Sequence, residues 1–363
     1  MKRDNRLGKL RQGLVEKEIE AILISQPENR YYLSAFDGSD GLLLITPKNG
    51  VLATDFRYIE QAKRQAPDYE LFEIDGDMTS WLPKLLDGLN LRRLGFEAGD
   101  ISFTIYHRIK DILGEVKPGL SLVPTDGLVE SLRTIKEPYE IELITKAVVI
   151  ADSAFEYIAA TMHPGMTERE LAWEIEKILR ENGSEPIPFD VIVASGPNSA
   201  LPHATPSQRA INSGEPVLID IGARFQDYGS DLSRTICLGK PDDTFKRVYD
   251  TVLEAQLKAI AEIMAGMTGI QADAIAREVI KQAGFGDSFG HGLGHGLGLA
   301  PHEQPCLGPN STDKLADDMV FTVEPAIYLT GWGGVRIEDT VVIEAGKTRV
   351  ISEAKKQPFW GLA

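Results

Sequence analysis

The sequence predicts an α+β protein of two domains, with a smaller α/β domain at the N-terminus. At 363 residues the chain exceeds the usual size of one domain, so two hydrophobic cores are expected. Helical patterns alternate with short apolar runs in the first third of the chain, whereas helices and antiparallel strands are segregated in the remainder. We therefore predict a domain at residues 1–125, a linker at 126–137 and a second domain at 138–363.

Three helical patterns and three apolar runs make up the predicted N-terminal domain. The apolar runs are AILIS, GLLLIT and RLGFE, which begin at Ala21, Gly41 and Arg93 and have the length and composition of strands. The alternation of these runs with helices is typical of an α/β domain. The helical patterns cover residues 6–17, 56–66 and 103–113.

The second domain contains longer helical patterns and several β-rich runs. We identify no tandem repeat among them. The apolar run FDVIVAS precedes two pairs of runs that resemble hairpins. The helical patterns cover residues 137–160, 167–182, 243–264 and 269–283.

The first pair of runs, VLIDIGARF and DLSRTICL, predicts a hairpin that carries two aspartates. A turn centred on Gln226 and Asp227 would place Gly222 opposite Asp231. Because side chains alternate between the faces of a strand, Asp220 shares the face of Gly222. Both aspartates are therefore expected to point into one space.

The second pair of runs, MVFTVE and GVRIEDTVVI, predicts another hairpin with acidic side chains. The glycine-rich segment TGWGG between the runs is read as the turn. Glu324 ends the first run and Glu338 lies within the second. By alternation, Arg336 and Glu338 share a face.

The stretch GHGLGHGLGLAPHEQP at residues 290–305 carries three histidines on a glycine-rich backbone. Glycine weakens helices and strands, so alternate glycines are expected where the backbone approaches a ligand closely. His295 and His302 are the candidate functional residues of this stretch. His291 repeats the pattern and is interpreted as structural or as a support for neighbouring site residues, and not as a residue that takes part in the chemistry.

Together the three segments supply four acids and one histidine to a common site. Each unpaired buried charge would cost several kcal/mol, so a cluster of this kind requires cations. Taken alone, an acidic residue beside a turn is usually a cap or turn residue. Their joint pattern instead predicts a metal site formed by Asp220, Asp231, His295, Glu324 and Glu338.

This ordered set, with the surrounding segments IDIGA, SDLSRT, GHGLGLAPHE, VEP and VRIED, resembles the metallopeptidases of family M24. That family includes methionine aminopeptidases, aminopeptidases P and prolidases. The long N-terminal region is similar to the creatinase-like domain of prolidases and aminopeptidases P. The resemblance implies a pita-bread fold, in which a curved antiparallel sheet carries helices outside and metal ions inside. It further implies a creatinase-like N-terminal α/β domain and a homodimer.

The resemblance assigns a metal-binding role to each member of the set. Asp231 and Glu338 would bridge two divalent ions, Asp220 would bind one ion, and His295 with Glu324 would bind the other. Two such ions activate a water molecule and stabilise a tetrahedral oxyanion. Mn²⁺ is the preferred ion, and Co²⁺, Fe²⁺ and Zn²⁺ also suit oxygen-rich ligation with one imidazole.

The resemblance also implies residues that act on the substrate. His203, in the segment LPHATP, and His302 would orient the substrate and stabilise the gem-diolate. Glu324 would carry a proton from water to the leaving amine. Arg336 has two candidate roles. It could neutralise the charge of Glu338, which is the favoured role, or it could bind the substrate.

Hydrolysis of the Xaa-Pro bond in dipeptides or short peptides is the function that this resemblance favours, with an Xaa-Pro dipeptidase as the first candidate. Some prolidases have an arginine shortly after the segment that matches HEQP, and this arginine could grip the carboxylate of a dipeptide. Here Cys306 follows HEQP. An aminopeptidase P that accepts longer peptides is therefore the alternative. A non-catalytic peptide-binding module of the same fold is disfavoured because all five ligand positions are filled.

Composition restricts the partners and the compartment. The net charge of −16 disfavours nucleic acid and anionic membranes as partners, because both would repel the chain. Cys237 and Cys306 do not form a disulfide framework, which indicates a reducing compartment. The basic N-terminus lacks the apolar core of a signal peptide, and no run approaches the ~20 apolar residues of a membrane helix. A cytoplasmic protein is therefore predicted.

Other hydrolase classes lack their motifs in the required context. The segment GDSFG at residues 286–290 matches G-x-S-x-G, but it follows the helical pattern 269–283 and not a strand, so it is not a nucleophile elbow. Neither cysteine lies in a nucleophile context. The zinc motif H-E-x-x-H fails because His302 and Glu303 are followed by Gln304, Pro305 and Cys306.

Overall fold

The computed structural model describes residues 2–360 and the side chains of residues 5–358. The chain divides into two compact units, Met1–Arg133 and Thr134–Ala363. The division falls within the segment 126–137, which the sequence analysis treats as a linker. This segment contains the whole of a short helix, Glu130–Thr134.

The first unit is built on a mixed six-stranded sheet, in the order β4-β3-β2-β1-β5-β6. The pairs β3–β4, β1–β5 and β5–β6 are parallel, whereas β1–β2 and β2–β3 are antiparallel. The strands are β1 (Ala21–Ile24), β2 (Leu42–Ile45), β3 (Gly50–Asp55), β4 (Glu70–Ile74), β5 (Arg93–Glu97) and β6 (Ser121–Thr125). The helices are α1 (Lys2–Glu16), α2 (Pro27–Ser34), α3 (Ile59–Gln65), α4 (Met78–Leu85), α5 (Phe103–Val116) and α6 (Glu130–Thr134).

The predicted elements of this unit are present, together with several that the sequence did not indicate. The three apolar runs are β1, β2 and β5, and the three helical patterns are α1, α3 and α5. The short helix α2 was missed because it covers only two turns and has no apolar stripe. It begins with Pro27 in its first turn, where the absent N–H is not needed, and it ends at Ala35 in a left-handed conformation.

The second unit consists of four long helices and strands that pair antiparallel, except β19, which pairs in parallel with β11. Its main sheets have the orders β19-β11-β8-β7 and β13-β12-β14-β17-β18. The helices are α7 (Pro138–Thr161), α8 (Glu168–Glu181), α9 (Asp243–Glu262) and α10 (Gly269–Gln282). The strands are β7 (Ile192–Ser195), β8 (Pro216–Ile221), β9 (Arg224–Phe225), β10 (Tyr228–Gly229), β11 (Leu232–Leu238), β12 (Gly294–Gly296), β13 (Glu303–Leu307), β14 (Val320–Val323), β15 (Ala326–Leu329), β16 (Gly333–Arg336), β17 (Asp339–Glu344), β18 (Lys347–Val350) and β19 (Phe359–Trp360).

Each half of this unit packs a pair of helices onto one sheet. The core of the first half joins α7 and α8 to β7, β8 and β11, through residues such as Phe155 and Ile219. The core of the second half joins α9 and α10 to β14 and β17, through residues such as Phe245 and Phe321. Helices and antiparallel strands are thus segregated, which confirms the α+β prediction and the pita-bread architecture.

The two halves share a turn that the sequence analysis missed. Gly-Met-Thr precedes both α8 and α10, and the two glycines have φ angles of 95° at Gly165 and 91° at Gly266. Thr167 and Thr268 then form the N-caps of these helices, each within a capping box. A repeat of three residues, separated by about a hundred, is too short to stand out from the sequence alone.

The first predicted hairpin has the expected register. Gln226 and Asp227 both have positive φ angles, as a tight hairpin turn requires. Phe225 pairs with Tyr228 at this turn, and Ile221 pairs with Leu232 further along.

The second hairpin has the predicted turn, and its ladder is interrupted once. β15 pairs with β16 next to the turn TGWGG, and β14 pairs with β17 beyond it in the same register. Pro325 follows Glu324 and lacks an N–H, so the ladder breaks there and the run GVRIEDTVVI forms two strands. Glu324 and Glu338 consequently lie just outside the paired strands, where their side chains are not constrained by strand alternation.

No helix among residues 2–360 is long and apolar enough to span a bilayer.

Candidate metal centre

A cavity of about 760 Å³ in the second unit brings the predicted site residues together. Its volume falls within the range typical of small-molecule sites. Both predicted groups, the metal ligands and the residues that would act on the substrate, contribute to its wall. The predicted residues that line it are His203, Asp220, Asp231, His295, His302, Glu324, Arg336 and Glu338.

The acidic residues lie at or beyond the ends of neighbouring strands. Asp220 is the last residue but one of β8 and pairs with Ser233 of β11, whereas Asp231 directly precedes β11. Glu324 follows β14 and Glu338 precedes β17, and these two strands are also paired. Two antiparallel pairs, one from each half of the unit, therefore deliver two acids each.

Three candidate ligands are close enough to share an ion. Asp231, His295 and Glu338 each offer one ligand atom, and these atoms lie within 4.8 Å of one another. Nε2 of His295 also lies 3.6 Å from Oδ2 of Asp231 and 3.4 Å from Oε1 of Glu324.

The tautomer of His295 shows that the ring nitrogen facing the carboxylates carries a lone pair and no hydrogen. Its Nδ1 lies 3.1 Å from the carbonyl oxygen of Gly296, so Nδ1 carries the hydrogen and donates it there. Burial lowers the pKa of His295, which keeps the ring neutral and leaves a lone pair on Nε2. Carboxylate oxygens and a nitrogen lone pair thus face each other, an arrangement that fits a bound cation.

Burial and mutual repulsion dominate the electrostatics of the acids. Burial raises the pKa of Asp231 and Glu338, and the neighbouring carboxylates raise both values further. Burial also raises the pKa of Glu324. Oδ1 of Asp220 is buried and has no hydrogen-bond partner among the described residues. An unsatisfied oxygen beside like charges is a second observation that fits a divalent cation.

Arg336 forms its ion pair with Asp220, whereas the sequence analysis placed it beside Glu338. Its Nη2 donates to Oδ2 of Asp220, and its Nε donates to Oγ of Ser233 at 2.8 Å. Its Nη1 donates to the hydroxyl of Tyr328 at 2.8 Å and to the carbonyl of Pro202 at 3.2 Å. The sequence could not indicate this pairing because Asp220 and Arg336 are 116 residues apart. A role for Arg336 in substrate binding stays a prediction.

His203 and His302 are both exposed and lie on loops at the cavity. The ring of His302 lies 4.3 Å from the ring of His295. Burial lowers the pKa of His302, and the neighbouring rings of His295 and His203 lower it further. Each exposed histidine stands in the same short pattern, Pro-His-x-x-Pro, once in each half of the unit.

Two residues of the site were missed. Thr322 accepts a hydrogen bond from the backbone N–H of His295 at 3.1 Å and donates to Glu324 at 3.2 Å. It lies two residues before Glu324, so strand alternation could have identified it. Tyr328 accepts from Arg336 and, because Nδ1 of His291 donates to a carbonyl, donates to Nε2 of His291 at 3.2 Å. No sequence signal indicates Tyr328.

The glycines around His295 serve strand packing, a role additional to the predicted approach to a ligand, since Gly294 also lines the cavity. A Cβ atom at Gly294 would lie 2.0 Å from the carbonyl oxygen of Thr322. One at Gly296 would lie 2.1 Å from the carbonyl oxygen of Gln304. The strand that carries His295 therefore approaches its neighbours on both sides more closely than any other residue type permits.

A buried charge network supports Glu338 from the opposite side of its strand. Asp339 is fully buried and accepts hydrogen bonds at 2.8 Å from Arg234 and from Gln256. Arg234 also donates to the backbone carbonyl of Glu338. The pKa of Asp339 is lowered because, although burial alone would raise it, the charges of Arg234 and Lys356 outweigh that effect. The backbone of Glu338 is thus held independently of its side chain.

Two family profiles match the chain. Residues 142–345 match metallopeptidase family M24, and residues 6–135 match the Creatinase/Prolidase N-terminal domain. The chain is 40% identical to the uncharacterized peptidase YqhT of Bacillus subtilis, over 97% of this chain and 99% of that protein. It is 37% identical to an Xaa-Pro dipeptidase of Pyrococcus furiosus, over 97% of this chain and 99% of that protein.

Solved structures of similar proteins share the whole fold. An Xaa-Pro dipeptidase from Bacillus anthracis is 40% identical, with a TM-score of 0.94 over 99% of this chain and 100% of that one. An X-Pro aminopeptidase from Thermotoga maritima is 36% identical, with a TM-score of 0.88 over 97% of this chain and 99% of that one.

The crowding of acids predicts that Glu338→Gln stabilises the chain after treatment with a chelator. Removing one buried negative charge relieves repulsion, so the free energy of unfolding should rise by about 1–2 kcal/mol, or Tm by roughly 2–8 °C. Thermal unfolding followed by circular dichroism measures the change. Glu344→Gln, at the exposed end of the same strand, should shift Tm by less than about 1 °C. A lower Tm for Glu338→Gln than for wild type would contradict the repulsion argument.

Proposed function

Since the chain belongs to metallopeptidase family M24, we propose that it hydrolyses the bond before proline in dipeptides or short peptides, as an Xaa-Pro dipeptidase. The observation that carries this proposal is the convergence of Asp220, Asp231, His295, Glu324 and Glu338 on one cavity. Similarity to Xaa-Pro dipeptidases over nearly the full length supports the choice of substrate.

The donor set fits two divalent cations, with Mn²⁺ preferred. Asp231 and Glu338 would be shared between the two ions, Asp220 would hold one ion, and His295 with Glu324 would hold the other. The facing lone pairs at His295 and the unsatisfied oxygen of Asp220 support this assignment. Oxygen ligands with one imidazole also accommodate Co²⁺, Fe²⁺ and Zn²⁺.

Different residues of the chain would carry out different steps of the hydrolysis. When bound, the metal ions lower the pKa of water and offset the negative charge that develops on the carbonyl oxygen. Glu324 would accept a proton from the attacking water and pass it to the leaving nitrogen. His302 and His203 donate hydrogen bonds that orient the substrate and stabilise the tetrahedral intermediate.

The cavity wall also suits the proline ring. The nitrogen of an Xaa-Pro bond carries no hydrogen, so the substrate offers no donor there and needs no acceptor from the protein. An apolar wall accommodates the ring without leaving a polar group unpaired. Apolar residues that line the cavity include Phe189, Val191, Ile192, Pro202, Ala204 and Pro206.

An X-Pro aminopeptidase that acts on longer peptides is a second candidate. Apart from histidines, Arg336 is the only basic residue among the described residues that line the cavity. It is already engaged by Asp220 and Tyr328. Cys306, at the cavity wall, carries no charge that could hold the carboxylate of a dipeptide. A homodimer and a cytoplasmic location, without nucleic acid or membrane partners, stay predictions.

Metal removal tests the proposed function directly. Chelation should reduce kcat/KM for the dipeptide Ala-Pro at least 100-fold, because water is a weak nucleophile without the ions, and Mn²⁺ should restore it. Metal content is measured by mass spectrometry, and circular dichroism confirms that the protein stays folded. Full activity in folded, verified metal-free protein would exclude the mechanism.

Glu324→Gln tests the proton transfer. The amide keeps an oxygen that can bind metal but cannot accept the proton, so kcat for Ala-Pro should fall by about 10²–10⁴-fold. Metal content, measured in the same samples, should stay near that of wild type. A kcat within threefold of wild type would exclude Glu324 as the proton carrier.

Peptide length separates the two candidate functions. Because no unpaired lysine or arginine among the described residues lines the cavity, kcat/KM for Ala-Pro and for its C-terminal amide should agree within about 10-fold. The tripeptide Ala-Pro-Ala is measured alongside. A preference of 100-fold for the free dipeptide would show that a cation outside the lining residues holds its carboxylate, and would exclude the aminopeptidase. A preference of that size for the tripeptide would exclude the dipeptidase.

A further inference from the structure

We propose that Glu168 is a positioning residue, whose buried carboxylate closes the base of the loop 196–207 and thereby holds His203 at the cavity. The inference rests on the proposed function only for the part that His203 plays in hydrolysis. Glu168 itself does not line the cavity. It would act on the substrate through the loop.

The carboxylate of Glu168 joins the two ends of this loop. It accepts hydrogen bonds from the backbone N–H of Ser195 at 2.7 Å and from its hydroxyl at 2.8 Å. At the other end it accepts from the backbone N–H of Ser207 at 3.1 Å and from its hydroxyl at 2.6 Å. The amide of Asn198 donates to both carboxylate oxygens at 3.1 Å. One side chain thus binds three residues that flank or begin the loop.

The residues between these ends form one side of the cavity. Pro202, His203, Ala204, Thr205 and Pro206 all line it. His203 is exposed, and no hydrogen bond to its ring is found among the described residues. The position of this ring therefore depends on the backbone of the loop.

The middle of the loop has fewer attachments. The hydroxyl of Ser199 accepts from the backbone N–H of Gly334 at 2.8 Å. The carbonyl of Pro202 accepts from Arg336 at 3.2 Å. The loop is thus fixed on one side of His203 by these contacts, and on the other side the first side-chain anchor is Ser207, which Glu168 holds.

A comparison of α8 with α10, the corresponding helix of the second half, shows that the first residue of such a helix does not need a carboxylate. Glu168 is the first residue of α8, and the residue at the same place in α10 is Gly269. The backbone contacts match: Glu168 N–H donates to the carbonyl of Arg209, and Gly269 N–H donates to that of Asp313. Both helices have complete capping boxes without this side chain. The carboxylate of Glu168 is therefore free to serve the loop.

The charge on Glu168 suits this role. Burial alone would raise its pKa, but the hydrogen bonds from Ser207, Ser195 and Asn198 outweigh burial and lower it. The group is thus ionised at neutral pH and accepts at both oxygens. A glutamine has one acceptor and one donor group, so it would place a donor against the N–H and hydroxyl groups of Ser195 or Ser207.

The first test compares Glu168→Gln with Glu170→Gln in the full chain. Glu170 lies two residues away in the exposed capping box, where glutamine is an equally good partner for the N-cap. Glu168→Gln should lower kcat/KM for Ala-Pro at least 10-fold, because the ring of His203 is no longer held at the cavity. Its metal content should equal that of wild type. Glu170→Gln should stay within twofold of wild type. Wild-type kinetics in Glu168→Gln would overturn the proposal.

A double-mutant cycle separates positioning from general damage. If Glu168 acts through His203, Glu168→Gln should cost less than about threefold in a His203→Ala background. The same 10-fold loss in both backgrounds would show that Glu168 acts elsewhere, and would overturn the proposal.

Hydrogen exchange provides a readout that does not depend on activity. Backbone amides at 195–207 should exchange at least 10-fold faster in Glu168→Gln than in wild type or Glu170→Gln. If Glu168→Gln does not fold, Ser207→Ala, which removes one donor, should show the same changes at a smaller size. Unchanged exchange at 195–207 in the folded variant would overturn the proposal. If exchange at 195–207 is faster in Glu168→Gln but the wild-type protein has no peptidase activity, the role of Glu168 in the loop would stand and the proposed function would be contradicted.

Discussion

The mutual repulsion of four carboxylates is the constraint on which the second unit depends. Asp220, Asp231, Glu324 and Glu338 are brought to one cavity in which Arg336 is the nearest permanent positive charge. Packing elsewhere in the unit has to oppose this repulsion, and the fully buried cores of the two halves do so. A cation in the cavity would remove the repulsion and add ligand bonds. Folding and ion binding are therefore linked in this chain.

The site lies where two similar halves of the unit meet. Each half contributes an antiparallel pair of strands with two acids at its ends, and a loop with the pattern Pro-His-x-x-Pro. The halves differ in how those loops are held. The first loop is closed by the side chain of Glu168, whereas β13 of the second half pairs directly with the strand of His295. The two halves are thus alike in their strands and loops but differ in the contacts that hold each loop at the site.

Local patterns predicted much of this architecture, and long-range contacts account for what they missed. Helices such as α7 and α9 were predicted within two residues at each end because their apolar periodicity and caps are local. The hairpin at Gln226 followed from its turn residues, and its two aspartates reach the same cavity. The second hairpin likewise followed from its glycine-rich turn, although the break in its ladder at Pro325 was not predicted. By contrast, the ion pair of Arg336 with Asp220 and the contacts of Glu168 were missed, because their partners are distant in sequence and no local pattern encodes them.

The close packing at Gly294 and Gly296 restricts how this region can vary. Even alanine at either position would push a methyl group into a carbonyl oxygen of an adjacent strand and displace the imidazole between them. If this segment were randomised, the variants that still fold would therefore keep glycine at both positions. Substitutions meant to change the preference for an ion or a peptide would be tolerated better at Cys306, on the sheet edge, or at Thr205, on a loop. Both residues line the cavity.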